Sequence, residues 1–328
     1  MNQSRKVDFS IVMATYNGEK YLKEQLFSII EQKVKPKELV IVDDCSSDKT
    51  LDILYDLKSI SGIEIKIIEN KKNIGFRRSF IKGVNNSSYE WICFSDQDDV
   101  WEIDKLFQLE KLINKCDSDV KVIFHSFVIH NPNIIKKEYI KNLPLWIKYK
   151  KGEFDSWRTI PGMSICFSNS LKEFISFQPF LIDMTDGENE ISHDQLIMLF
   201  GDLSGSIVEF KSYLINYRRH DRATSNFMMN SRQEGWIKKI DFNLVDRQYI
   251  YCKNILKSIK PSFYGFNYEF YEEFVLNYDK KIDIKRGKGV LLRISFLIKN
   301  HKCGIYSYFG SKELFKDFLK VFLVKSQE

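Results

Sequence analysis

The sequence lacks the features that mark membrane-spanning or disulfide-stabilised proteins. No apolar run approaches the roughly 20 residues that a bilayer-spanning helix needs, and Met1 to Val7 is polar, without the apolar core of a signal peptide. The six cysteines include no C-x-x-C pair, which argues against a disulfide framework and a zinc site. These absences predict a cytoplasmic protein that binds a membrane at most at its surface.

Most of the chain has no large net charge of either sign. Residues 280 to 328 contain twelve Lys or Arg and four Asp or Glu, a local charge of +8, whereas the whole chain carries +6. No recognition motif accompanies this basic tail, so a nucleic-acid partner is not expected. Its apolar residues at helical spacing predict a helix that either lies on an anionic membrane or packs on the rest of the protein.

Short apolar runs and helical patterns alternate over the first 125 residues. Crossover units of this kind predict a parallel α/β sheet covered by helices on both faces. Ligands of such sheets bind beyond the carboxyl ends of the strands. The predicted strands are Phe9–Ala14, Glu38–Val42, Ile63–Ile68, Trp91–Phe94 and Val120–Phe124.

The pattern after Trp146 is less regular and becomes mainly helical beyond Gln233. It predicts a domain over residues 1–230, with a nucleotide-binding half (1–125) and an acceptor half (126–230), and a basic helical extension over 231–328. The elements expected within the second half are a turn and strand at Gly162–Phe167, a helix Asp194–Phe200 closed by Gly201, and strands Ile207–Phe210 and Leu214–Tyr217.

Three carboxylates follow the fourth predicted strand in the run Ser95-Asp96-Gln97-Asp98-Asp99. Such neighbours repel one another unless a cation neutralises them, and oxygen ligands suit Mg²⁺ or Mn²⁺. The alternative is a solvated acidic turn that caps the next helix, for which Asp99 is the best candidate.

A second acidic cluster, Asp43-Asp44-Cys45-Ser46-Ser47-Asp48, follows the second predicted strand. Asp44 could accept a hydrogen bond from the N3–H of a pyrimidine base, or it could cap the following helix. For Asp43 and Asp48, capping is the favoured interpretation. Because both acidic clusters follow strands of one parallel sheet, they outline a single cleft for a nucleotide diphosphate.

Four motifs follow one another in the chain: Ile11–Gly18, Val42–Asp48, Asn73-Ile74-Gly75 and Asp96–Trp101. After them come a Gly-Met-Ser strand, a His-Asp pair and Tyr217-Arg218-Arg219-His220. This ordered set resembles the inverting family 2 glycosyltransferases, and among them the bacterial rhamnosyltransferase-like members. The resemblance covers about residues 8 to 226 and implies the GT-A fold, a Rossmann-like, mostly parallel sheet flanked by helices.

The resemblance assigns a nucleotide-sugar site to the first half of the chain. Tyr16 and Asp44 would hold the base, Asp96 would hold the ribose, and Asp98 would bind a Mn²⁺ or Mg²⁺ ion that bridges the diphosphate. Arg77 would contact the nucleotide. Further donor-binding residues expected from the same motifs are Thr15, Asn17 and Gln97.

The second half would supply the rest of the catalytic site. Asp194, in His193-Asp194, matches the catalytic base, although its charge at a helix N-terminus would also have a purely structural benefit. His220 matches a histidine that completes the metal or phosphate site. His125 and His130 are interpreted as structural.

The implied activity is transfer of a sugar, with L-rhamnose a candidate, from a dTDP- or UDP-sugar to a saccharide or lipid-linked acceptor in O-antigen or capsule synthesis. The chain has no Q-x-x-R-W motif, which argues for the addition of a single sugar. Gln195 and Leu196 stand where the resembling members carry aromatic residues, a departure that bears on the donor and acceptor. The alternative is an inactive carbohydrate- or membrane-binding protein on the same fold.

Overall fold

A computed structural model describes residues 5–129, 146–151, 153–154, 158–175 and 190–218, together with positions 181, 183, 253, 275 and 276. The chain divides into two compact units, one of residues 1–179 and 190–223 and one of residues 180–189 and 224–328. Nearly all of the second unit, including the predicted extension over 231–328, lies outside the described residues. In the described part, no helix is long and apolar enough to cross a bilayer.

The first unit alternates strands and helices as far as residue 129. Its strands are β1 (Phe9–Thr15), β2 (Glu38–Asp43), β3 (Glu64–Glu69), β4 (Trp91–Ser95), β5 (Val100–Trp101), β6 (Val120–Ile129), β7 (Trp146–Tyr149), β8 (Ile165–Ser168) and β9 (Ser206–Tyr217). Its helices are α1 (Leu22–Ile30), α2 (Thr50–Ile60), α3 (Phe76–Asn85), α4 (Lys105–Ile113), α5 (Lys172–Ile175) and α6 (His193–Ser204), with 3₁₀ turns at Gly162–Ser164 and Asn169–Leu171.

The nine described strands form one sheet in the order β3-β2-β1-β4-β8-β6-β9-β5, with β7 also paired to β9. Strands β3, β2, β1 and β4 pair in parallel, and β6 and β9 run in the same direction as they do. The antiparallel strands are β8, inserted between β4 and β6, and the edge strands β5 and β7. The predicted α/β fold with a mostly parallel sheet is therefore confirmed.

The core explains why the first strands have continuous apolar runs. Every residue of β2 and β4 is buried, as in strands that are covered on both faces. The helices α3 and α6 approach the sheet closely at glycines. A Cβ on Gly83 would lie 2.5 Å from a methyl group of Val12, and one on Gly201 would lie 2.3 Å from a methyl group of Val122.

Two predictions about the second half are wrong. Helix α6 does not end at Gly201 but continues to Ser204, because this glycine serves the close contact with Val122 and not a helix C-terminus. The two late strands are one strand, β9, whose pairing with β6 shifts by two residues. His125 pairs with Phe210 and Ser126 with Tyr213. The polar residues Lys211 and Ser212, which separate the two predicted strands in the sequence, are therefore an irregularity within β9.

Candidate functional site

Four loops meet at one edge of the sheet because the strands that precede them are in register. Thr15 at the end of β1 is paired with Asp43 at the end of β2, and Asp43 with Glu69 at the end of β3. Ser95 ends β4 opposite Met13. The acidic clusters after β2 and β4 therefore emerge on either side of the loop Tyr16-Asn17-Gly18.

The loops after β1 and β2 are joined by reciprocal hydrogen bonds. Asn17, with a positive φ of 47°, donates its N–H to the Ser46 hydroxyl (3.0 Å), and its side-chain oxygen accepts from Ser47 N–H (2.8 Å). Asp43 accepts from the Thr15 hydroxyl at 2.9 Å and from Ser46 N–H at 2.9 Å. Thr15, Asn17 and Asp43 are thus committed to shaping this edge, and Asp43 does not cap α2, which begins only at Thr50.

Asp48 acts closer to the helix. Its carboxylate accepts a hydrogen bond from Thr50 N–H at 3.0 Å, and its other oxygen accepts from Glu19 N–H at 3.1 Å. Asp48 thus supports the first turn of α2 through Thr50, but the N-cap position itself is occupied by Lys49.

Asp44 is buried and holds the third loop. Its Oδ1 accepts from the Asn70 side-chain amide at 2.9 Å and from Ile74 N–H at 2.8 Å, and its Oδ2 accepts from Gly75 N–H at 2.8 Å. Gly75 has a φ of 88°, in the left-handed region that favours glycine. The Asn73-Ile74-Gly75 motif is therefore folded around the Asp44 carboxylate.

Gln97 ties the acidic loop to the first loop. Its side-chain oxygen accepts from Tyr16 N–H at 2.9 Å, and its amide donates to the Tyr16 carbonyl at 3.2 Å. A Cβ on Gly18 would lie 2.4 Å from the Gln97 oxygen, so any larger residue there would displace the Gln97 side chain from Tyr16. The Tyr16 ring itself is 48% exposed, which leaves an aromatic face open beside the acidic loop.

The acidic loop brings carboxylates together with Asp194. Burial, followed by the charges of Asp99, Asp98 and Asp194, raises the pKa of Asp96 well above its ordinary value. The loop after β4 and the start of α6 therefore lie within electrostatic range of each other. Two distant predicted site residues, Asp96 and Asp194, belong to one charge cluster.

Asp99 is neither solvated nor a helix cap. It is fully buried, and α4 begins only at Lys105, with Asp104 in the N-cap position. Its Oδ1 accepts from Arg218 N–H at 3.0 Å, so it fastens the end of β9 to the acidic loop. Burial raises the pKa of Asp99 to about 7, opposed by the Arg218 hydrogen bond. The expectation that Asp99 caps the next helix is wrong.

The sequence pattern did not predict two buried polar residues close to the acidic loop, Lys105 and Gln25. Lys105 is 1% exposed, and its ammonium lies 3.5 Å from the centroid of the Trp101 ring and donates to the Met163 carbonyl at 3.3 Å. Burial lowers the pKa of Lys105 to about 8. In the amide orientation that satisfies both of its ends, Gln25 donates to the Asp99 carbonyl and accepts from the Trp101 indole N–H.

Asp194 lies in the first turn of α6. Its Oδ1 accepts from Gln195 N–H at 2.8 Å and from the Ser192 hydroxyl. Among the described residues, no hydrogen bond engages its Oδ2. This arrangement orients the carboxylate with one oxygen held by the protein, which suits a group that takes a proton on the other oxygen.

His193 is packed among aromatic rings. Its ring stacks on Phe80 with centroids 4.0 Å apart and meets Phe94 edge-on at 4.8 Å. Gly162 makes room for it, since a Cβ there would lie 2.5 Å from the imidazole Nε2. Within the described part of the chain both ring nitrogens are buried without a hydrogen-bond partner, and burial lowers the pKa of His193 to about 4. The imidazole is therefore neutral at pH 7.

Arg77 lies near the same helix start. Its guanidinium lies 5.1 Å from the centroid of the Phe76 ring. The hydrogen bond from Arg78 lowers the pKa of Glu190, and the charge of Arg77 adds a smaller effect in the same direction. Arg218 contacts Glu24 at 2.7 Å and the face of Tyr21. His220, Arg219 and Arg222 lie outside the described residues.

The carboxylates fit a divalent cation in their chemistry. Of the residues that the structure describes, no three His, Cys, Asp or Glu side chains are grouped closely enough to hold a metal ion. Mg²⁺, however, is typically bound by one or two carboxylates together with substrate phosphates. The like charges that raise the pKa of Asp96 are those that such an ion would neutralise, with a bound diphosphate as the remaining ligand.

Comparison with curated proteins finds relatives among bacterial sugar transferases. The chain is 31% identical over 200 residues to dTDP-rhamnosyl transferase RfbG of Shigella flexneri, covering 57% of this chain and 64% of the relative. It is 32% identical over 107 residues to the putative teichuronic acid biosynthesis glycosyltransferase TuaG of Bacillus subtilis, covering 32% and 42%. The chain thus spans less than two thirds of the length of these relatives.

Comparison with solved structures supports the fold. The TarS 1-349 structure of S. aureus in complex with UDP matches with a TM-score of 0.54 at 18% identity, covering 84% of this chain and 71% of that one. The mannosyltransferase PcManGT of Pyrobaculum calidifontis, in complex with GDP-Man and Mn²⁺, matches with a TM-score of 0.53 at 12% identity, covering 98% and 88%.

The model of one protein family describes the part of the chain that contains most of this site. The model, described as glycosyl transferase family 2, matches residues 10–175, just over half of the 328-residue chain. The match includes β1 to β4 and all four of the loops that meet at their carboxyl ends. The chain belongs to glycosyl transferase family 2.

Proposed function

We propose that the protein is an inverting glycosyltransferase that moves a sugar from a nucleotide-diphosphate donor to an acceptor hydroxyl. The observation that carries the proposal is the contact between the start of α6 and the end of β4, where the rings of His193 and Phe94 have centroids 4.8 Å apart, because it places Asp194 close to the acidic loop that follows β4. A base for the acceptor and a site for a charged donor must lie side by side in a single-displacement transfer.

The donor occupies the loops after β1, β2 and β4. The exposed ring of Tyr16 stacks on the base, Asp44 accepts its N3–H, and Asp96 binds the ribose. Thr15, Asn17 and Gln97 shape the pocket through the hydrogen bonds that join these loops. Arg77 contributes positive charge near the diphosphate. Uracil and thymine both carry an N3–H, so UDP- and dTDP-sugars are the proposed donors.

Asp98 and His220 are the proposed ligands of a Mn²⁺ or Mg²⁺ ion. When bound, the ion neutralises the charge that develops on the diphosphate leaving group. The described residues include the Asp98 carboxylate and the hydrogen bond that holds its loop in place. Asp99 fastens the loop to Arg218, which is two residues before His220 in the sequence.

Asp194 is the proposed catalytic base. Its Oδ1 is held by Ser192 and Gln195, so Oδ2 takes the proton of the acceptor hydroxyl as the new glycosidic bond forms and the bond to the diphosphate breaks. His193 and the aromatic residues around it fix the start of α6 and hence the position of this carboxylate.

The acceptor is proposed to be a saccharide or a lipid-linked saccharide, in the synthesis of a bacterial surface polysaccharide such as O-antigen or capsule. The names of the relatives, a dTDP-rhamnosyl transferase and a teichuronic acid biosynthesis enzyme, support this setting, and L-rhamnose is the first candidate sugar. The proposed location is the cytoplasm, with the basic tail at the inner face of the membrane. Residues 1–230 are proposed to form the glycosyltransferase domain, and residues 231–328 its basic extension.

A panel of nucleotide sugars tests this function. The full chain with Mn²⁺ is incubated with UDP- and dTDP-sugars, and release of the nucleoside diphosphate is followed with and without candidate acceptors. We expect metal-dependent release with one donor, stimulated by its acceptor and abolished by Asp194→Ala. Release that persists unchanged in Asp194→Ala would contradict the proposed mechanism.

A further inference from the structure

A chain of three polar side chains runs from α3 into the donor site. The ammonium of Lys82 donates to the side-chain oxygen of Asn70 at 2.7 Å, and the Asn70 amide donates to Asp44 Oδ1 at 2.9 Å and to the Ser79 hydroxyl at 3.1 Å. None of the sequence motifs includes Asn70 or Lys82. Asn70 is 8% exposed, so its amide has little access to water and must be satisfied by the protein.

We infer that Asn70 and Lys82 are positioning residues that make Asp44 selective for a base with an N3–H group. The inference rests on the proposed function and specifies how its donor site distinguishes bases.

The Asp44 carboxylate has one acceptor site left for a hydrogen bond from a ligand. An ionised carboxylate has about four lone-pair sites, two on each oxygen. Among the described residues, Oδ1 accepts two hydrogen bonds, from Asn70 and Ile74, whereas Oδ2 accepts one, from Gly75. A donor group on a ligand can therefore be accepted only at Oδ2.

The free place on Oδ2 discriminates between pyrimidines. Uracil and thymine present an N3–H that can donate to it. Cytosine presents an unprotonated N3, whose lone pair would face a carboxylate and be repelled. This discrimination requires a fixed Asp44 carboxylate. If the carboxylate rotated, the free acceptor site on Oδ2 would no longer face N3 of the base.

The Asn70 amide holds the Asp44 carboxylate together with the N–H groups of Ile74 and Gly75, and it is the one of the three donors that can reverse its orientation. An asparagine side chain has an acceptor end and a donor end, and its reversal would place its oxygen against Asp44 Oδ1. The Lys82 ammonium can only donate, so it holds the Asn70 oxygen on its own side and directs the NH₂ group toward Asp44. The Asn70 backbone is anchored separately, since its N–H donates to the Asp43 carbonyl at 2.9 Å.

Reversal of the charge at Lys82 tests the inference. The carboxylate of Lys82→Glu can only accept, so it favours the reversed Asn70 amide. We expect the affinity for UDP to fall about tenfold, the size of one lost hydrogen bond to a charged group. The affinity for CDP should change much less, so the preference for UDP over CDP collapses. The measurement is calorimetric titration of the full chain with each nucleotide in Mn²⁺.

Two matched variants separate this effect from a general loss of charge or of folding. Lys58→Glu makes the same charge change at an exposed position of α2 and should leave the preference intact. Lys82→Met removes the hydrogen bond without favouring reversal and should give a smaller loss of preference. Thermal unfolding of each variant establishes that the protein titrated is folded.

The outcomes distinguish this inference from the proposed function. A wild-type chain that prefers UDP, with the same preference in Lys82→Glu and Lys82→Met, overturns the positioning role and leaves the function standing. Equal wild-type affinity for UDP and CDP also overturns it. A wild-type chain that binds no nucleoside diphosphate overturns the proposed function itself.

Discussion

Asp194 meets two requirements with one side chain. Its carboxylate in the first turn of α6 interacts favourably with the helix dipole, and its charge acts on Asp96 in the loop after β4. A residue with only the first role could be replaced by asparagine at little cost, because asparagine also accepts hydrogen bonds from Ser192 and Gln195. The proposed base cannot be replaced in this way.

Asp194→Asn should therefore separate chemistry from binding. We expect kcat to fall by about 10² to 10⁴, the usual range for loss of a general base, while the affinity for the nucleoside diphosphate stays nearly unchanged. Steady-state kinetics and calorimetry measure the two effects. Asp52→Asn makes the same change in the first turn of α2 and should alter neither. A variant with wild-type kcat would show that Asp194 is only structural.

His193 predicts a pH dependence of stability. Its pKa is about 4 in the folded protein against about 6.5 in an unfolded chain. Between these values only the unfolded state is protonated, so folding stability falls as pH decreases from 6.5 to 4 and is unaffected by this group above 6.5. The loss attributable to His193 is on the order of 3 kcal/mol.

The variant His193→Phe should remove that contribution. Denaturant unfolding at pH 7 and pH 4.5 gives the difference in free energy of unfolding for each protein. We expect the wild-type protein to lose more stability between the two pH values than the variant does. Equal losses would mean that His193 is protonated in the folded state at the lower pH.

The site residues differ in how far the sequence could predict them. Asp44, Asp96, Asp98 and Asp194 stand in motifs at predicted strand or helix ends, and the charge cluster that includes Asp96 and Asp194 agrees with that placement. Lys105 carries no such signal, because a lysine at the start of an amphipathic helix is ordinarily solvated. Only the tertiary packing of α4 against Trp101 and Met163 shows that it is buried.

At the scale of elements, α3 and α6 each contain a glycine in spite of the low helix propensity of this residue. A glycine inside a helix costs up to about 1 kcal/mol relative to alanine, and the sequence pattern at Gly201 suggested a helix end. The structure gives another cause, since Gly83 and Gly201 let their helices lie against valines of the sheet. Periodicity predicts which face of a helix is buried, but it does not predict how closely that face approaches its neighbour.

Gly83→Ala should thus destabilise the protein in spite of its better helix propensity. The added methyl group would lie 2.5 Å from Val12 Cγ1, and overpacking of this kind typically costs about 1–3 kcal/mol. Denaturant unfolding of Gly83→Ala, Val12→Ala and the double variant forms a thermodynamic cycle. We expect Val12→Ala to relieve most of the cost in the double variant. Additive effects would place the strain elsewhere.

At the scale of the whole molecule, charge is divided between a body near neutrality and a basic tail. The tail lies outside the described residues, so its proposed role rests on residues 280–328 of the sequence and their local charge of +8. Basic residues beside an apolar stripe favour an anionic bilayer surface. A lipid-linked acceptor would give such a contact a purpose.

Co-sedimentation with vesicles tests the membrane role of the tail. The full chain should sediment with vesicles that contain anionic phospholipid, and less so at high salt. A variant with Lys312, Lys316 and Lys320 all changed to Glu should lose this binding. Changing the exposed residues Lys33, Lys58 and Lys72 of the body in the same way should preserve it. Loss of binding in both variants to the same degree would assign the attraction to net charge.

The account depends most directly on a nucleoside diphosphate binding beside Asp98 with a divalent cation. Calorimetric titration of UDP and dTDP into the full chain, with Mn²⁺ and again with the metal chelated, measures this. We predict binding with Mn²⁺ that weakens at least about tenfold when the metal is removed and likewise in Asp98→Ala, the change expected when one charge-assisted contact is lost. Failure of every common nucleoside diphosphate to bind, with the protein folded and the metal present, would contradict the account.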